Sequence, residues 1–322
     1  MTPPAPGRIV VAGAGAVGSL LAAVLARGLE EGRVWLAGRT APSPETAAHL
    51  EEAAREGIAV EGAAEFTARP GVIRGPEGGA ADFLLLAVKA GQLADAAREF
   101  SPLAGPRTRV AVLSNGLDVC ADLPPAMRGG GVVRALVMTG AERTGPGRVR
   151  QSGALSLILA PAFAEKEREA GMKAAQELAA ALARAGARAE VRPDGREEEW
   201  RKAMVNLVVN PLGALLGLRN GALLETAHAA ALFRTLAGEA QRVTEAEGFD
   251  IDVLALAEAA ARATAGNRNS MWQDLLLGRE TEIDALTGRF LAHAEAAGVE
   301  APVHWAMYQC IRELEEKGRE GG

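Results

Sequence analysis

A row of one amine and two amides is the part of the sequence best suited to chemistry. Lys202, Asn206 and Asn210 lie four residues apart, so a helix places them on one face. Nearly all other residues from 203 to 218 are apolar, which predicts a helix that is buried almost all round. Buried amine and amide groups need polar partners, and a ligand would supply them. The row therefore predicts a ligand pocket; a polar row at a domain seam is the simpler alternative.

A second polar cluster occupies residues 267–284. Ser270 and Gln273 match a capping box, and Thr281 opens a similar pattern with the aspartate three residues later. Capping is the structural role we expect for Ser270, and the same helix N-terminus could bind a carboxylate. Glu282 would lie in a first helical turn, where a carboxylate is stabilised in any case. Neither residue identifies a site alone.

Near the N-terminus, a short β-branched run is followed by a glycine-rich turn and an apolar stretch. The turn fits the pattern G-x-G-x-x-G: Gly13, Ala14, Gly15, Ala16, Val17 and Gly18. In this pattern the first glycine permits a tight turn, the second admits a pyrophosphate, and the third allows close packing of helix on strand. The helix N-terminus then faces the phosphates. A structural glycine turn is the alternative, but the strand before it and the helix after it favour dinucleotide binding.

The choice of cofactor depends on the end of the second predicted strand. NAD enzymes usually carry an acid there, which binds the ribose hydroxyls. Here the stretch from Trp35 to Thr40 contains no acid, and Arg39 offers a planar cationic group suited to a 2′-phosphate. A solvated surface arginine is the alternative. The pattern favours NADP(H) over NAD.

The order of predicted elements indicates an α/β protein with two domains. Apolar strands alternate with helical stretches up to about residue 191, as in a Rossmann-type, doubly wound parallel sheet. Beyond the turn signal at 192–195, apolar residues recur only at helical spacing. We therefore expect a Rossmann-type NADP-binding domain over 1–193 and an all-helical substrate-binding domain over 194–322. The site would lie at the carboxyl ends of the strands, between the domains.

Composition narrows the function classes further. The 322 residues are 48% hydrophobic and 24% charged, as in globular proteins, and the net charge of −6 disfavours nucleic acid or an anionic membrane as a partner. Two cysteines favour a reducing cytoplasm over a disulfide framework, and four dispersed histidines predict no metal site. The apolar run at 9–26 resembles a signal peptide, but its glycines favour a strand, turn and helix. We expect a cytoplasmic enzyme without a membrane span.

Together these motifs resemble the ketopantoate reductase (2-dehydropantoate 2-reductase) family. The resemblance covers nearly the whole chain, and the row from Lys202 to Pro211 and the segment from Ser270 to Asp284 are its most specific parts. It implies NADPH-dependent reduction of 2-dehydropantoate to (R)-pantoate, in pantothenate and coenzyme A biosynthesis. The sequence departs from the family pattern at Gln151 and Trp272.

The resemblance also implies roles for individual residues. Lys202 would donate a proton to the ketone oxygen, with Glu282 beside it and beside the cofactor. Cofactor contacts would come, besides the glycine loop and Arg39, from Lys89, Asn115 and Ala141. Substrate contacts would come from Asn115, Asn206, Asn210, Asn220 and Ser270.

Three alternatives remain open from the sequence. The first is an NADPH-dependent reductase of another branched 2-oxo acid or of an imine formed from one. The second is a catalytically silent NADP(H)-binding sensor, against which Lys202 and Glu282 argue, because a sensor needs no proton donor. The third is a C-terminal helical bundle that forms a homodimer without contacting substrate, which leaves the polar row unexplained.

Overall fold

The computed structural model describes residues 7–163 and 167–320, and the chain divides into two units. The first comprises Met1–Ser114 and Val119–Arg196, and the second Asn115–Asp118 and Glu197–Gly322. The sequence predicts a single domain boundary, at the turn signal of residues 192–195, and so places residues 115–118 in the N-terminal domain. In the structure they pack with the helices of the second unit instead.

Strands among the described residues all lie in the first unit. They are β1 (Ile9–Ala12), β2 (Val34–Gly38), β3 (Ile58–Gly62), β4 (Phe66–Ala68), β5 (Gly71–Arg74), β6 (Phe83–Leu86), β7 (Arg109–Val112), β8 (Val132–Val137), β9 (Ala141–Gly145), β10 (Arg148–Gln151), β11 (Ser156–Pro161) and β12 (Arg188–Val191).

The helices are present in both units. They are α1 (Ala16–Gly28), α2 (Pro44–Glu56), α3 (Leu93–Phe100), α4 (Arg168–Arg184), α5 (Gly195–Leu216), α6 (Ala222–Glu225), α7 (Ala227–Ala246), α8 (Val253–Ala263), α9 (Ser270–Leu276), α10 (Arg289–Ala296) and α11 (Pro302–Glu320). The sequence predicted the start of α4 near residue 164, and residues 164–166 lie outside the described part of the chain.

Eight strands form the main sheet of the first unit, in the order β12-β11-β8-β7-β6-β1-β2-β5. Strands β1, β6 and β8 are buried along their whole length, as expected for strands covered on both faces. This confirms the predicted α/β class with a Rossmann-type sheet. One pair departs from the parallel arrangement: β11 runs antiparallel to β8. The chain passes from β8 to β11 through the β9–β10 hairpin and not through a crossover helix. Parallel pairing of neighbouring strands needs such a crossover, so the two strands pair antiparallel.

A second, four-stranded sheet has the order β4-β3-β10-β9. The apolar stretch 58–60 indicates a further strand of the main sheet from sequence, but in the structure it belongs to this second sheet and pairs in parallel with β10. In β10, buried and exposed residues alternate, which marks a sheet with one covered face. Its hydrophobic residues join those of α1 in one core. Apart from residues 58–60, these strands lack the continuous apolar runs that predicted the main sheet, which is why the second sheet was not expected.

Helices are the only regular secondary structure among the described residues of the second unit, as the sequence predicted. Its core is formed by large side chains that are fully buried, among them Trp200, Phe233 and Phe290. Between α9 and α10, the chain forms a single π-helical turn over Asp284–Gly288. Among the described residues, no helix combines the length and the apolar character needed to cross a bilayer.

Candidate active site

The glycine loop joins β1 to α1 and has the geometry of a phosphate-binding turn. Gly13 has a φ of 119°, and a Cβ there would lie 2.6 Å from Ala87 O. A Cβ on Gly18 would lie 1.9 Å from Gly13 O, so helix and turn approach too closely for any side chain. At Gly15 the situation is opposite: in the described part of the chain, and leaving its own backbone neighbours aside, no atom lies within 4 Å of the position that a Cβ would take. Gly15 is the N-cap of α1 and has no side chain that could cap the helix, so this space adjoins the first backbone N–H groups of α1, which have no partner within the helix. That space fits a pyrophosphate.

Strand β9 approaches the same loop. Its third residue, Arg143, donates from Nη1 to Ala14 O at 3.3 Å and pairs with Glu45 of α2. The Arg143 side chain is only 12% exposed although it carries a charge. Ala141, predicted from the resemblance, begins this strand. The sequence did not single out Arg143, because its contact with the glycine loop spans 129 residues.

Arg39 lies at the end of β2, where the sequence placed it, but it has an acidic partner. Its Nε donates to Glu99 Oε2 at 2.8 Å, and Glu99 Oε1 accepts the Thr40 N–H at 2.6 Å. Burial alone would raise the pKa of Glu99, but these hydrogen bonds outweigh it and lower the pKa, so the carboxylate stays ionised. Glu99 belongs to α3, 60 residues from Arg39, and no local pattern predicted the pair. The sequence motif has no acidic residue at the end of β2, but the fold brings the Glu99 carboxylate to this position.

Lys89 follows β6 and is the residue before a short 3₁₀ helix, Ala90–Gln92. It is partly buried and lies at the carboxyl end of a central strand of the main sheet. Ligands of open α/β sheets bind at this edge. Its placement is compatible with the cofactor contact that the resemblance implies.

In the second unit, α5 carries Lys202, Asn206 and Asn210 on one face, as their spacing predicted. Trp200 anchors the helix near the amine: its ring is fully buried and lies 5.3 Å from the Phe249 ring. Asn210 is 7% exposed, and the residues that flank it on the helix are buried. A largely buried helix thus carries the three polar groups, with Asn210 buried and the other two partly buried.

A chain of hydrogen bonds joins the amine to a carboxylate. Lys202 Nζ donates to Asn115 Oδ1 at 2.8 Å, and Asn115 Nδ2 donates to Glu282 Oε2 at 2.7 Å. An amide has one acceptor end and one donor end, so these partners determine its orientation. All three side chains are partly buried. The structure therefore brings together three predicted residues from remote parts of the sequence.

The position of Glu282 is set by the backbone around it. Its carbonyl accepts the Leu286 N–H at 3.0 Å just before the π-helical turn, and the next residue, Ile283, is buried. Thr281 does not form the predicted capping box: its Oγ1 accepts the N–H of Ile283, only two residues on, at 3.1 Å. Its own N–H donates to Glu315 of α11. A π-helical turn beside a site is a frequent feature of functional positions.

Asn220 lies four residues after the end of α5 and contacts residues that follow α8. Its Nδ2 donates to Thr264 Oγ1 at 2.8 Å, and its backbone N–H donates to Asn267 O. The side chain is 7% exposed, and among the described residues its Oδ1 has no hydrogen-bond partner. A buried acceptor without a partner is costly, and a ligand hydroxyl could satisfy it.

At α9 the expected cap is displaced by one residue. Asn269, not Ser270, is the N-cap, because its Oδ1 accepts the Trp272 N–H at 2.9 Å. Its Nδ2 also reaches Val209 O of α5 at 3.5 Å, next to Asn210. Asparagine and serine cap about equally well, so the contact with α5 decides between them. Ser270 is left exposed at the first helical position.

The predicted residues are thus divided between the units. The first unit holds the glycine loop, Arg39, Lys89 and Ala141, which are the expected cofactor contacts of a dinucleotide-binding fold. The second holds Asn115, Lys202, Asn206, Asn210, Asn220, Ser270 and Glu282. A dinucleotide fold together with a helical unit that presents an amine and a carboxylate is the architecture of a two-domain reductase.

Comparison with known proteins identifies the family. Residues 9–164 match the family model of ketopantoate reductase PanE/ApbA, and residues 194–315 match that of its C-terminal domain. The chain belongs to the ketopantoate reductase family and is an oxidoreductase.

Individual relatives cover the full chain. The 2-dehydropantoate 2-reductase of Halobacterium salinarum is 31% identical over 97% of this chain and 100% of its own. A ketopantoate reductase structure from Ralstonia eutropha has a TM-score of 0.82 at 26% identity, covering 97% of this chain and 99% of that one. A ternary structure of D-mandelate dehydrogenase with NADH and anilino(oxo)acetate has a TM-score of 0.84, also at 26% identity and the same coverage.

Proposed function

We propose that this protein reduces 2-dehydropantoate to (R)-pantoate with NADPH, in the cytoplasmic biosynthesis of pantothenate and coenzyme A. The observation that carries the proposal is the hydrogen-bonded chain from Lys202 through Asn115 to Glu282. An amine held by an amide, which a carboxylate holds in turn, is suited to proton donation. The relatives named 2-dehydropantoate 2-reductase support the substrate assignment.

The cofactor would be held mainly by the first unit. The glycine loop would bind the pyrophosphate above Gly15. Arg39 would bind the 2′-phosphate through its other guanidinium nitrogens, since its Nε already donates to Glu99. Lys89 and Ala141 would provide further contacts, as would Asn115 and Glu282 of the second unit. When bound, the nicotinamide supplies the hydride.

Lys202 would act on the ketone oxygen. Reduction of a ketone places negative charge on this oxygen, and an ammonium group stabilises the charge before it transfers a proton. Asn115 holds Nζ through its carbonyl oxygen, so the ammonium is oriented before the substrate binds. Glu282 binds the other end of that amide and keeps it from rotating.

The substrate would contact the remaining polar groups of the second unit. Asn206 and Asn210 follow Lys202 along the same helix face, and Asn220 offers a buried acceptor suited to a hydroxyl. Ser270 would bind the carboxylate. Asn269 supports this assignment, because it connects the start of α9 to α5 beside Asn210.

A second candidate is an NADH-dependent reductase of other 2-oxo acids. The structural likeness to D-mandelate dehydrogenase with bound NADH favours it, as does the Glu99 carboxylate beside Arg39. An acid near the second strand is the usual ligand of an NAD ribose.

Steady-state oxidation of NADPH and of NADH distinguishes these functions. The assay uses 2-dehydropantoate, 2-oxoisovalerate, 2-oxoisocaproate and phenylglyoxylate as substrates. We expect the highest kcat/KM for 2-dehydropantoate with NADPH. Preference for phenylglyoxylate with NADH would establish the second candidate instead, and failure to oxidise either cofactor would contradict both.

A further inference from the structure

Hydrogen bonds join the backbone of Leu117 and Asp118 to the helical part of their unit. These are Leu117 N–H to Ala285 O at 3.0 Å, Arg289 Nη1 to Leu117 O at 2.8 Å, and Asp118 N–H to Glu199 Oε2 at 2.9 Å. The segment also carries Asn115, so whatever holds its backbone also positions the amide between Lys202 and Glu282.

A further contact of the segment is ionic. His293 of α10 lies between two carboxylates: Nε2 is 2.7 Å from Asp118 Oδ2, and Nδ1 is 2.7 Å from Glu247 Oε1. A neutral imidazole has one N–H, so its other nitrogen would face a carboxylate oxygen with a lone pair. An imidazolium ion donates to both. The geometry therefore fits a protonated ring between two ionised carboxylates.

The surroundings of His293 keep this charge in place. Burial alone would lower the pKa of His293, but the hydrogen bonds to Asp118 and Glu247 outweigh it and raise the pKa above its ordinary value. The ring also lies edge-on to Trp200, with centroids 5.1 Å apart. The charged groups that surround it are Asp118 of the segment, Glu247 after α7, Glu199 of α5 through the Asp118 backbone, and Arg289 one turn earlier on α10.

Asp118 shows why the segment needs such a contact. Its φ of 53° is left-handed, and it is the one non-glycine residue with positive φ in the described parts of the chain. This conformation is uncommon outside glycine and persists where neighbouring groups over-determine it. The imidazolium of His293 binds the Asp118 side chain while Glu199 binds its backbone.

We propose that His293, in its protonated form, is a positioning residue that fixes segment 115–118 through Asp118 and thereby holds Asn115 between Lys202 and Glu282. The proposal rests on the reductase function proposed above. A raised pKa means that the contact is complete below the ordinary value of 6.5 and is lost as the pH rises through the higher value of the folded protein. Above it, one ring nitrogen can no longer donate, and the segment loosens.

Nuclear magnetic resonance of the wild-type protein tests the structural half of the proposal without substrate. The ring ¹⁵N signals of His293 and the side-chain NH₂ signals of Asn115 are followed from pH 5 to 10. We expect an imidazolium at pH 7 and a change in the Asn115 signals with the midpoint of the His293 signals. His228, exposed on α7, is the reference that should show no such coupling. A neutral His293 ring at pH 7 would overturn the proposal, and so would Asn115 signals that do not change as His293 titrates.

Kinetics of variants test the functional half. His293→Gln should lower kcat about tenfold or more at neutral pH, because a charge-assisted hydrogen bond is lost. It should also remove the fall in kcat at alkaline pH whose midpoint matches the titration of His293. His228→Gln should show neither effect. Glu247→Gln keeps the contact between His293 and Asp118 but removes one negative charge beside the ring. The fall in kcat at alkaline pH should therefore move to lower pH.

The outcomes separate the two proposals. A kcat within twofold of wild type and an unchanged pH profile in both His293→Gln and Glu247→Gln would overturn the positioning role. If His293→Gln does not fold, Glu247→Gln and the resonance titration decide. A wild-type protein that reduces no 2-oxo acid would reject the proposed function, while the resonance titration would still decide whether His293 controls Asn115.

Discussion

The carboxylate of Glu239 accepts both the backbone N–H and the ring Nδ1–H of His304, each at 2.9 Å. It also accepts the N–H of Val303, so one side chain of α7 caps the first turn of α11. Burial holds the pKa of His304 below its ordinary 6.5, and the ring is therefore neutral, with its single proton on Nδ1. The two helices are joined by a buried pair in which only Glu239 is charged.

Glu239→Ala should lower the free energy of unfolding by roughly 2–5 kcal/mol, because it leaves buried donors without an acceptor. Burial alone would raise the pKa of Glu239, but the bonds from His304 and Val303 lower it below 4.5. The difference between wild type and variant should therefore shrink as the pH falls through that lowered value. Urea unfolding at several pH values measures it. Glu245→Ala, exposed on the same helix, should change stability by less than about 0.5 kcal/mol.

Two glycines of the cofactor loop should respond oppositely to the same change. Gly15→Ala places its methyl group in open space at an ordinary φ of −77°, so the protein should fold normally and lose dinucleotide affinity. Gly18→Ala meets Gly13 O at 1.9 Å and should lower the melting temperature. Thermal unfolding and fluorescence titration of NADPH measure both effects. Unchanged NADPH affinity in Gly15→Ala would show that the pyrophosphate does not bind there.

Arg39→Ala should weaken NADPH binding by roughly 10–150-fold, since a charged contact contributes about 1.5–3 kcal/mol. Binding of NADH, which lacks the 2′-phosphate, should change far less. Arg55→Ala, on the exposed face of α2, is the control. Equal losses for both cofactors would remove Arg39 as the discriminating residue and favour the NADH-dependent alternative.

Lys202→Ala should lower kcat by about 10²–10⁴-fold with little change in NADPH affinity, because general acid catalysis contributes that range. Lys202→Arg should not restore it, since a guanidinium does not release its proton near neutral pH. Lys173→Ala, exposed on α4, should behave as wild type. A Lys202→Ala enzyme that retains a tenth of wild-type kcat, with hydride transfer rate-limiting, would rule out the proton-donor role.

The amides of α5 should recognise a substrate hydroxyl. A site built to bind a hydroxyl rejects an analogue without it by about 10⁴–10⁵-fold. We expect kcat/KM for 2-dehydropantoate to exceed that for 2-oxoisovalerate by at least about 100-fold, a threshold set below that range. Asn206→Ala and Asn210→Ala should narrow the difference mainly by slowing the hydroxylated substrate. Similar efficiencies for the two acids in the wild type would indicate a general 2-oxo acid reductase.

Local sequence patterns predicted those features that depend on local chemistry. The apolar runs of β1 and β6 indicated the main sheet, and the four-residue spacing from Lys202 placed three side chains on one helix face. The glycine pattern located the turn whose close approaches the structure displays at Gly13 and Gly18.

Features that depend on remote pairing were not predictable in this way. Glu99 meets Arg39 across 60 residues, and His293 meets Asp118 across 175. Asn269 displaces Ser270 as a cap because of a contact with α5, on a helix 60 residues earlier. Asparagine and serine have similar N-cap propensities, so tertiary contacts determine which of the two residues caps the helix.

Segment 115–118 lies far in sequence from the helices it packs with, and this affects both the folding of the protein and the exchange of its parts by recombination. Asn115 is synthesised 87 residues before Lys202 and 167 residues before Glu282. Its partners therefore emerge from the ribosome only after the remaining strands, and loop closure over such distances is slow. A gene fragment beginning at residue 197 would encode most of the helical unit without the amide that Lys202 binds. Recombination between relatives would have to transfer residues 115–118 together with the helices to preserve the site.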